Sequence, residues 1–116
     1  METRKRWFVF TACAAAVVVA SFIPTSTAPS TAAEAHAASD GLWHAATYAV
    51  LAGTGFYAAE RERWLVVALG VFFLGAGVEA GQAFVSYRTA SVADTAANGV
   101  GVAVALTLAE ARRLTV

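Results

Sequence analysis

Four apolar segments, each close to the length that crosses a lipid bilayer, fill most of the 116-residue chain. A membrane-spanning helix needs about 20 mostly apolar residues. The segments cover residues 7–23, 42–59, 64–81 and 91–109, and their only acidic, basic or histidine side chains are His44, Glu79 and Asp94. Because lipid offers no hydrogen-bond partners to an open sheet edge, and because no period-two alternation occurs, these segments are predicted to be helices.

The composition favours a membrane environment. Hydrophobic residues make up 59% of the chain and charged residues 14%, whereas a soluble domain has about 45–50% and about 25%. A water-soluble fold this short cannot bury so much apolar surface. The formal net charge is zero, so nothing indicates a nucleic-acid partner, and the lipid bilayer is the expected one. A homo-oligomer is left open.

The positions of Lys and Arg predict the orientation in the membrane. Basic residues lie before the first segment, between the second and third, and after the fourth. In a chain that crosses the membrane four times, these three positions are on the same side. The basic residues there are Arg4, Lys5, Arg6, Arg61, Arg63, Arg112 and Arg113. Arg88 is the one basic residue on the other side. The positive-inside rule places both termini in the cytoplasm, and the predicted location is multi-pass in the plasma membrane.

The connections between segments predict the organisation of the bundle. Residues 1–23 form a basic N-terminus and first helix, residues 24–40 form an extracytoplasmic Ser/Thr/Pro/Ala loop, and residues 41–116 form a three-helix core. The other loops are short, which favours antiparallel neighbours. The predicted fold is therefore an all-α four-helix transmembrane bundle with up-down topology.

The N-terminus also has features of a cleavable signal peptide, with a basic start, an apolar run and an Ala-His-Ala sequence at 35–37. The apolar run is long for a signal peptide, and the Ala-His-Ala lies well beyond its end. We therefore expect the first helix to be retained; cleavage would leave three spans. The single cysteine, Cys13, excludes a disulfide within one chain.

Polar residues recur in pairs near the predicted outer ends of three helices. Spacings of three or four residues place each pair on one helix face. The pairs are Asp40 with His44 (and Tyr48 one turn deeper), Glu79 with Gln82, and Asp94 with Asn98; Arg88 lies in the loop between the last two pairs. Ionisable groups inside a membrane are costly and face partners or wet cavities. The pattern predicts a common polar site.

Purely structural roles for the same residues remain open. Asp40 precedes the second apolar segment and could cap its helix. Asp94 lies in the first turn of the fourth, where a carboxylate favours the helix dipole. Arg88 could pair with Asp94 or with lipid phosphate. Small residues, among them a Gly-x-x-x-Gly pair, predict tight helix packing at Gly77, Gly81, Gly99 and Gly101.

These motifs, in this order, resemble those of the VanZ-like family of small membrane proteins. The matching pieces are Asp-Gly-Leu-Trp-His at 40–44 followed by Tyr48, Gly-Ala-Gly-Val-Glu-Ala-Gly-Gln at 75–82, and Arg88 followed by Asp94, Asn98, Gly99 and Gly101. The chain departs from the family pattern at Ala76 and Gly81 and in the spacing of the last two glycines. The resemblance implies a multi-helix module with its polar motif at the outer side, and an association with teicoplanin resistance.

Three classes of function follow from these patterns. The first is an envelope module that binds a lipid-linked or amphipathic molecule at the outer leaflet. The second is an intramembrane enzyme, in which a carboxylate acts as a base or Asp40, His44, Glu79 and Asp94 supply ligands for a divalent metal. The third is a small proton-coupled transporter that uses Glu79. The sequence identifies no particular metal or cofactor.

Overall fold

The computed structural model describes residues 2–22, 33–84 and 92–115, with the backbone alone for residues 33–40 and Ala83. These residues contain four α-helices, one short 3-10 turn and no β-strand. The helices are α1 (Glu2–Ser21), α2 (Ala33–Ala58), α3 (Trp64–Ala83) and α4 (Val92–Thr115), and the 3-10 turn is Arg61–Arg63. The all-helical prediction is confirmed for the described part of the chain.

Helix α2 begins at Ala33, which lies within the loop predicted for residues 24–40. Residues 33–40, predicted as the second half of an irregular loop, are helical. Alanine, the strongest helix former, occupies half of these positions. Asp40 therefore lies inside α2, one turn before His44, and not at its N-cap. Residues 24–32 of the predicted loop lie outside the described residues.

The contacts between helix ends define how the helices run. Near the start of α1, Arg6 donates to the backbone carbonyl of Tyr57 near the end of α2. At the other end of α1, the Ser21 carbonyl accepts a hydrogen bond from Gln82 near the end of α3. Helix α1 is therefore antiparallel to α2 and parallel to α3. Helices α2 and α4 run in the same direction and form the most extensive contact.

The interior of the bundle is small, and large apolar side chains cover its outside. The buried core includes Tyr48, Leu51, Phe56, Val71 and Val102. Exposed large hydrophobic residues occur on all four helices, and they include Phe8, Trp43, Val50, Leu65, Phe73 and Leu108. Among the residues with described side chains, the buried polar ones are Glu79, Gln82 and Asn98. Such a covering of large apolar side chains is unusual for a protein surface in water.

Two helical stretches of the described residues, Arg61–Gln82 and Val92–Thr115, are long and apolar enough to cross a membrane. Only 22% of the most apolar part of each stretch is buried, unlike a core helix of a soluble protein. Helix α1 carries charged residues in its first turns, and the apolar part of α2 is diluted by His44, Tyr48 and other polar residues. Spans by α1 and α2 therefore stay predictions.

The glycines predicted to pack helices behave differently from one another. At Gly101 an added Cβ would collide with the backbone carbonyl of Ala45 on α2. At Gly99 it would lie 3.1 Å from a ring carbon of Phe72, and at Gly81 it would lie 2.9 Å from Phe22 Cζ. At Gly77 it would meet nothing within 4 Å. Gly77 therefore faces outward, and within the described chain Gly77 and Gly81 do not pack together against a neighbouring helix.

Candidate functional site

His44 links α2 to two polar residues of α4. Its Nδ1 lies 3.2 Å from Oδ1 of Asn98, and its Nε2 lies 3.7 Å from Oδ2 of Asp94. Asp94 and Asn98 are four residues apart, so both lie on the face of α4 that looks towards α2. The structure thus brings together three residues that the sequence predicted to share a site.

The hydrogen bonds of this contact depend on which nitrogens of the His44 imidazole carry a hydrogen. Two oxygen acceptors flank the ring, and both are satisfied only when both ring nitrogens carry hydrogen, as in the imidazolium. A neutral ring fits when the Asn98 amide is turned so that its NH2 group donates to Nδ1 and Nε2–H points at Asp94. In both of these forms Nε2–H faces Asp94 across 3.7 Å, which is longer than a hydrogen bond.

Helix α3 approaches the same place through Gly75. A Cβ added there would lie 2.8 Å from Nδ2 of Asn98 and 3.0 Å from Cε1 of Tyr48. Glu79 follows Gly75 by one helical turn, so both lie on the same side of α3. Tyr48 and Glu79 are 3% and 6% exposed and lie close enough to interact electrostatically. We refer to His44, Tyr48, Glu79, Asp94 and Asn98 as the polar cluster.

The side chains of the polar cluster differ in how deeply they are buried. Asn98 is 1% exposed, whereas the side chains of His44 and Asp94 are 17% and 21% exposed. The His44–Asp94 pair is therefore the accessible edge of the cluster, and Asn98, Tyr48 and Glu79 form its buried floor.

Gln82 makes a contact with α1 that the sequence did not predict. Its Nε2 donates a hydrogen bond to the backbone carbonyl of Ser21, at 2.5 Å, and it is 3% exposed. The last carbonyls of a helix lack partners within the helix, so Gln82 satisfies one of them at the end of α1. With Phe22 packed over Gly81, this contact fastens α1 to α3.

Two predicted site residues are not tested. The backbone of Asp40 lies in α2 one turn before His44, but its side chain lies outside the described part of the structure, and so does the whole of Arg88. The described residues include no group of three or more His, Cys, Asp or Glu side chains arranged to hold a metal ion. Of the four metal ligands suggested by the sequence, the structure places His44 and Asp94 3.7 Å apart, and the side chain of Asp40 lies outside the described residues.

Sequence reasoning missed two features. One is Gly75, which was quoted only as part of a motif, although its lack of a side chain lets Tyr48 and Asn98 meet α3. The other is a groove of about 670 Å³ between α2 and α4, lined by Gly53, Phe56, Trp64, Leu108 and Arg112 among others. Asn98 and Arg112 are separated along α4 by roughly 21 Å. The groove therefore shares no lining residue with the polar cluster, and its Arg112 end lies at the opposite end of the helix pair.

Comparisons with protein-family models, curated proteins and solved structures find no match to this chain.

Proposed function

We propose that this chain is a four-span, VanZ-like protein of the plasma membrane whose polar cluster binds the polar headgroup of a lipid-linked or amphipathic molecule at the outer leaflet. The observation that carries the proposal is the apolar outer surface of the bundle, together with a few buried polar side chains. Glu79, Gln82 and Asn98 are buried, while Trp43 and Phe73 are 71% and 64% exposed. Lipid is the solvent in which such a surface is stable, and polar groups inside a membrane mark functional sites.

The orientation follows from the ends of the helices. Arg6 reaches Tyr57, and Arg61 pairs with Glu110 at 3.2 Å, so the basic ends of α1, the 3-10 turn and α4 gather together. The positive-inside rule assigns this end to the cytoplasm. The polar cluster, at the opposite end, then faces the cell envelope. All four helices alternate across the bilayer, and both termini are cytoplasmic.

The ligand chemistry follows from the accessible edge of the cluster. The Nε2–H of His44 faces Asp94 at 3.7 Å, beyond hydrogen-bond distance, and can donate to a ligand, while the carboxylate of Asp94 accepts. Together they suit a headgroup with both acceptor and hydroxyl groups. Arg88, from the same sequence motif, adds a cation that suits a phosphate. A lipid-linked envelope precursor has these features, which agrees with the teicoplanin-resistance role that the family resemblance implies.

Binding is tested with two probes that differ only in the headgroup, a polyprenyl phosphate and the corresponding uncharged polyprenol. We expect the phosphate to raise the unfolding temperature of the detergent-purified protein more than the polyprenol does. His44→Gln and Arg88→Gln should remove that difference. Glu62→Gln, an exposed change in the 3-10 turn at the opposite end, is the matched control. Equal stabilisation by both probes, or a full response from His44→Gln, would contradict the proposal.

A second measurement distinguishes a binding site from a cluster that only holds the helices together. The unfolding temperatures of Asp40→Asn, Glu79→Gln, Arg88→Gln and Asp94→Asn are compared with that of the wild type. Functional groups are often held at a cost to stability, so a binding site predicts variants as stable as the wild type or more so. If all four unfold well below the wild type and the phosphate probe has no effect, the cluster serves only to hold the helices together.

The orientation has its own test in a Cys13→Ala background. A cysteine at Ser86 should react with an impermeant reagent from outside the cell, and one at Glu62 only after the membrane is opened. The reverse pattern would overturn the topology and would move the polar cluster to the cytoplasmic side.

The His44–Asp94 contact also favours a second candidate, an intramembrane hydrolase. Both ring nitrogens of His44 face polar neighbours, so in this candidate the carboxylate of Asp94 is the general base and His44 positions it. Release of inorganic phosphate from the polyprenyl phosphate, lost in both His44→Gln and Asp94→Asn, would support this function. Binding without turnover would support the binding module instead.

A further inference from the structure

The groove at the basic end of the α2–α4 pair has the character of an amphipathic binding site. Aromatic and aliphatic side chains line most of it, including Phe56, Trp64 and Leu108, and Arg112 lies at its mouth. Its volume of about 670 Å³ lies within the range of roughly 300–1,000 Å³ that is usual for small-molecule sites. It is separate from the polar cluster, which the proposed function already uses.

The charges at the mouth favour an anion. Glu110 is shared between two arginines, at 3.2 Å from Arg61 and 3.4 Å from Arg113. The guanidinium of Arg112 has no ion pair or hydrogen bond within the described part of the chain. Its positive charge is therefore available to a ligand at the point where the apolar lining ends.

We infer that this groove binds an anionic phospholipid of the cytoplasmic leaflet, with its phosphate at Arg112 and the upper part of an acyl chain along Phe56 and Leu108. The inference rests on the proposed function only in placing the chain in a bilayer with its basic end in the cytoplasm. The lining runs from Ala49 to Tyr57 along α2, a rise of roughly 12 Å. That length matches a glycerol backbone and the first part of one chain.

Trp64 provides a fixed reporter inside the groove. Its indole Nε1 donates to the backbone carbonyls of Phe56 and Ala59, at 3.1 Å and 3.2 Å, so the ring is held against the end of α2. The chain has three tryptophans. Replacing Trp7 and Trp43 by phenylalanine leaves Trp64 as the only one, and lipids brominated on the acyl chain then quench its fluorescence by contact.

The test compares brominated phosphatidylglycerol with brominated phosphatidylcholine, each at the same mole fraction in vesicles that contain the full-length protein. We expect stronger quenching by phosphatidylglycerol. Arg112→Gln should weaken its apparent preference about fivefold, and Arg112→Lys should retain most of it. Equal quenching by the two lipids in the wild type, or an unchanged preference in Arg112→Gln, would overturn the inference.

Two glycines give a matched pair for the acyl-chain part of the site. An added Cβ meets nothing within 4 Å at Gly53, which lines the groove, or at Gly70, which is exposed on α3. Gly53→Leu should therefore fill the groove without disturbing the fold and should remove the preference for phosphatidylglycerol. Gly70→Leu should keep it. A preference that survives Gly53→Leu, or a crosslinked dimer through the groove that excludes both lipids, would refute the lipid site.

The same experiment distinguishes failure of this inference from failure of the proposed function. A chain that is not embedded in the bilayer would show no quenching of Trp64 by either lipid and would be released by alkaline washing. An embedded chain without the site would show equal quenching by both lipids. Asp94→Asn, which alters the polar cluster, should leave the quenching pattern unchanged.

Discussion

The substitution Gly101→Ala should separate helices α2 and α4 at their closest approach. A single methyl group at this position would occupy the space of the Ala45 backbone carbonyl. A backbone atom cannot move aside by changing rotamer, so the two helices must shift. Overpacking of this kind costs about 1–3 kcal/mol, and it outweighs the gain of up to about 1 kcal/mol that alanine brings over glycine in a helix.

Gly70→Ala is the matched control, because an added Cβ there meets nothing within 4 Å. It keeps the gain in helix propensity without the collision. The two variants should therefore differ by about 2 kcal/mol in the free energy of unfolding, which is roughly a thirtyfold difference in the unfolding equilibrium constant. Reversible unfolding in mixed micelles, followed by circular dichroism, measures this difference. Equal stability of Gly101→Ala and Gly70→Ala would refute the close approach of α2 and α4.

Three further predictions test the interior of the bundle. Leu51→Ala should destabilise the protein by about 2–5 kcal/mol because it leaves a cavity, whereas Val50→Ala, on the exposed face, should have little effect in the same unfolding assay. A double-mutant cycle of His44→Ala and Asn98→Ala should give a coupling energy of about 0.6–1.7 kcal/mol, as expected for a hydrogen bond between membrane helices; a coupling near zero would contradict the observed contact. Gln82→Leu should make the end of α1 more accessible to protease, because it removes the hydrogen bond to the Ser21 carbonyl. Unchanged cleavage would show that this hydrogen bond does not hold the end of α1 in place.

Hydropathy and helical spacing predicted much of this fold for physical reasons. Apolar runs with little charge form helices because lipid leaves the backbone no other partner, and all four predicted helices occur in the described chain. The early start of α2 at Ala33 could not be read from hydropathy, because a run of alanine, glutamate and serine is not apolar. Helix propensity was the signal that would have found it.

Helical spacing predicted the contact among His44, Asp94 and Asn98, but it did not predict the partner of Gln82. Three- and four-residue spacing placed Asp94 and Asn98 on one face, and that face does meet His44. The spacing of Glu79 and Gln82 was equally regular, yet Gln82 binds the end of α1. A face that spans about a hundred degrees of a helix can touch two neighbours. The positions of the neighbouring helices decide which residue of the face contacts which helix.

Glycine and polar residues, treated as separate signals in the sequence, act together at the α2–α4 contact. His44 and Asn98 have short side chains, and a bond of 3.2 Å between them requires the two backbones to be close. Gly101 follows Asn98 by three residues and meets Ala45, the neighbour of His44 in the chain. Because the contact at Gly101 sets the distance across which His44 and Asn98 bond, Gly101→Ala should weaken the polar cluster as well as the packing. A double-mutant cycle for His44 and Asn98 repeated in the Gly101→Ala background should therefore give a smaller coupling energy than in the wild type.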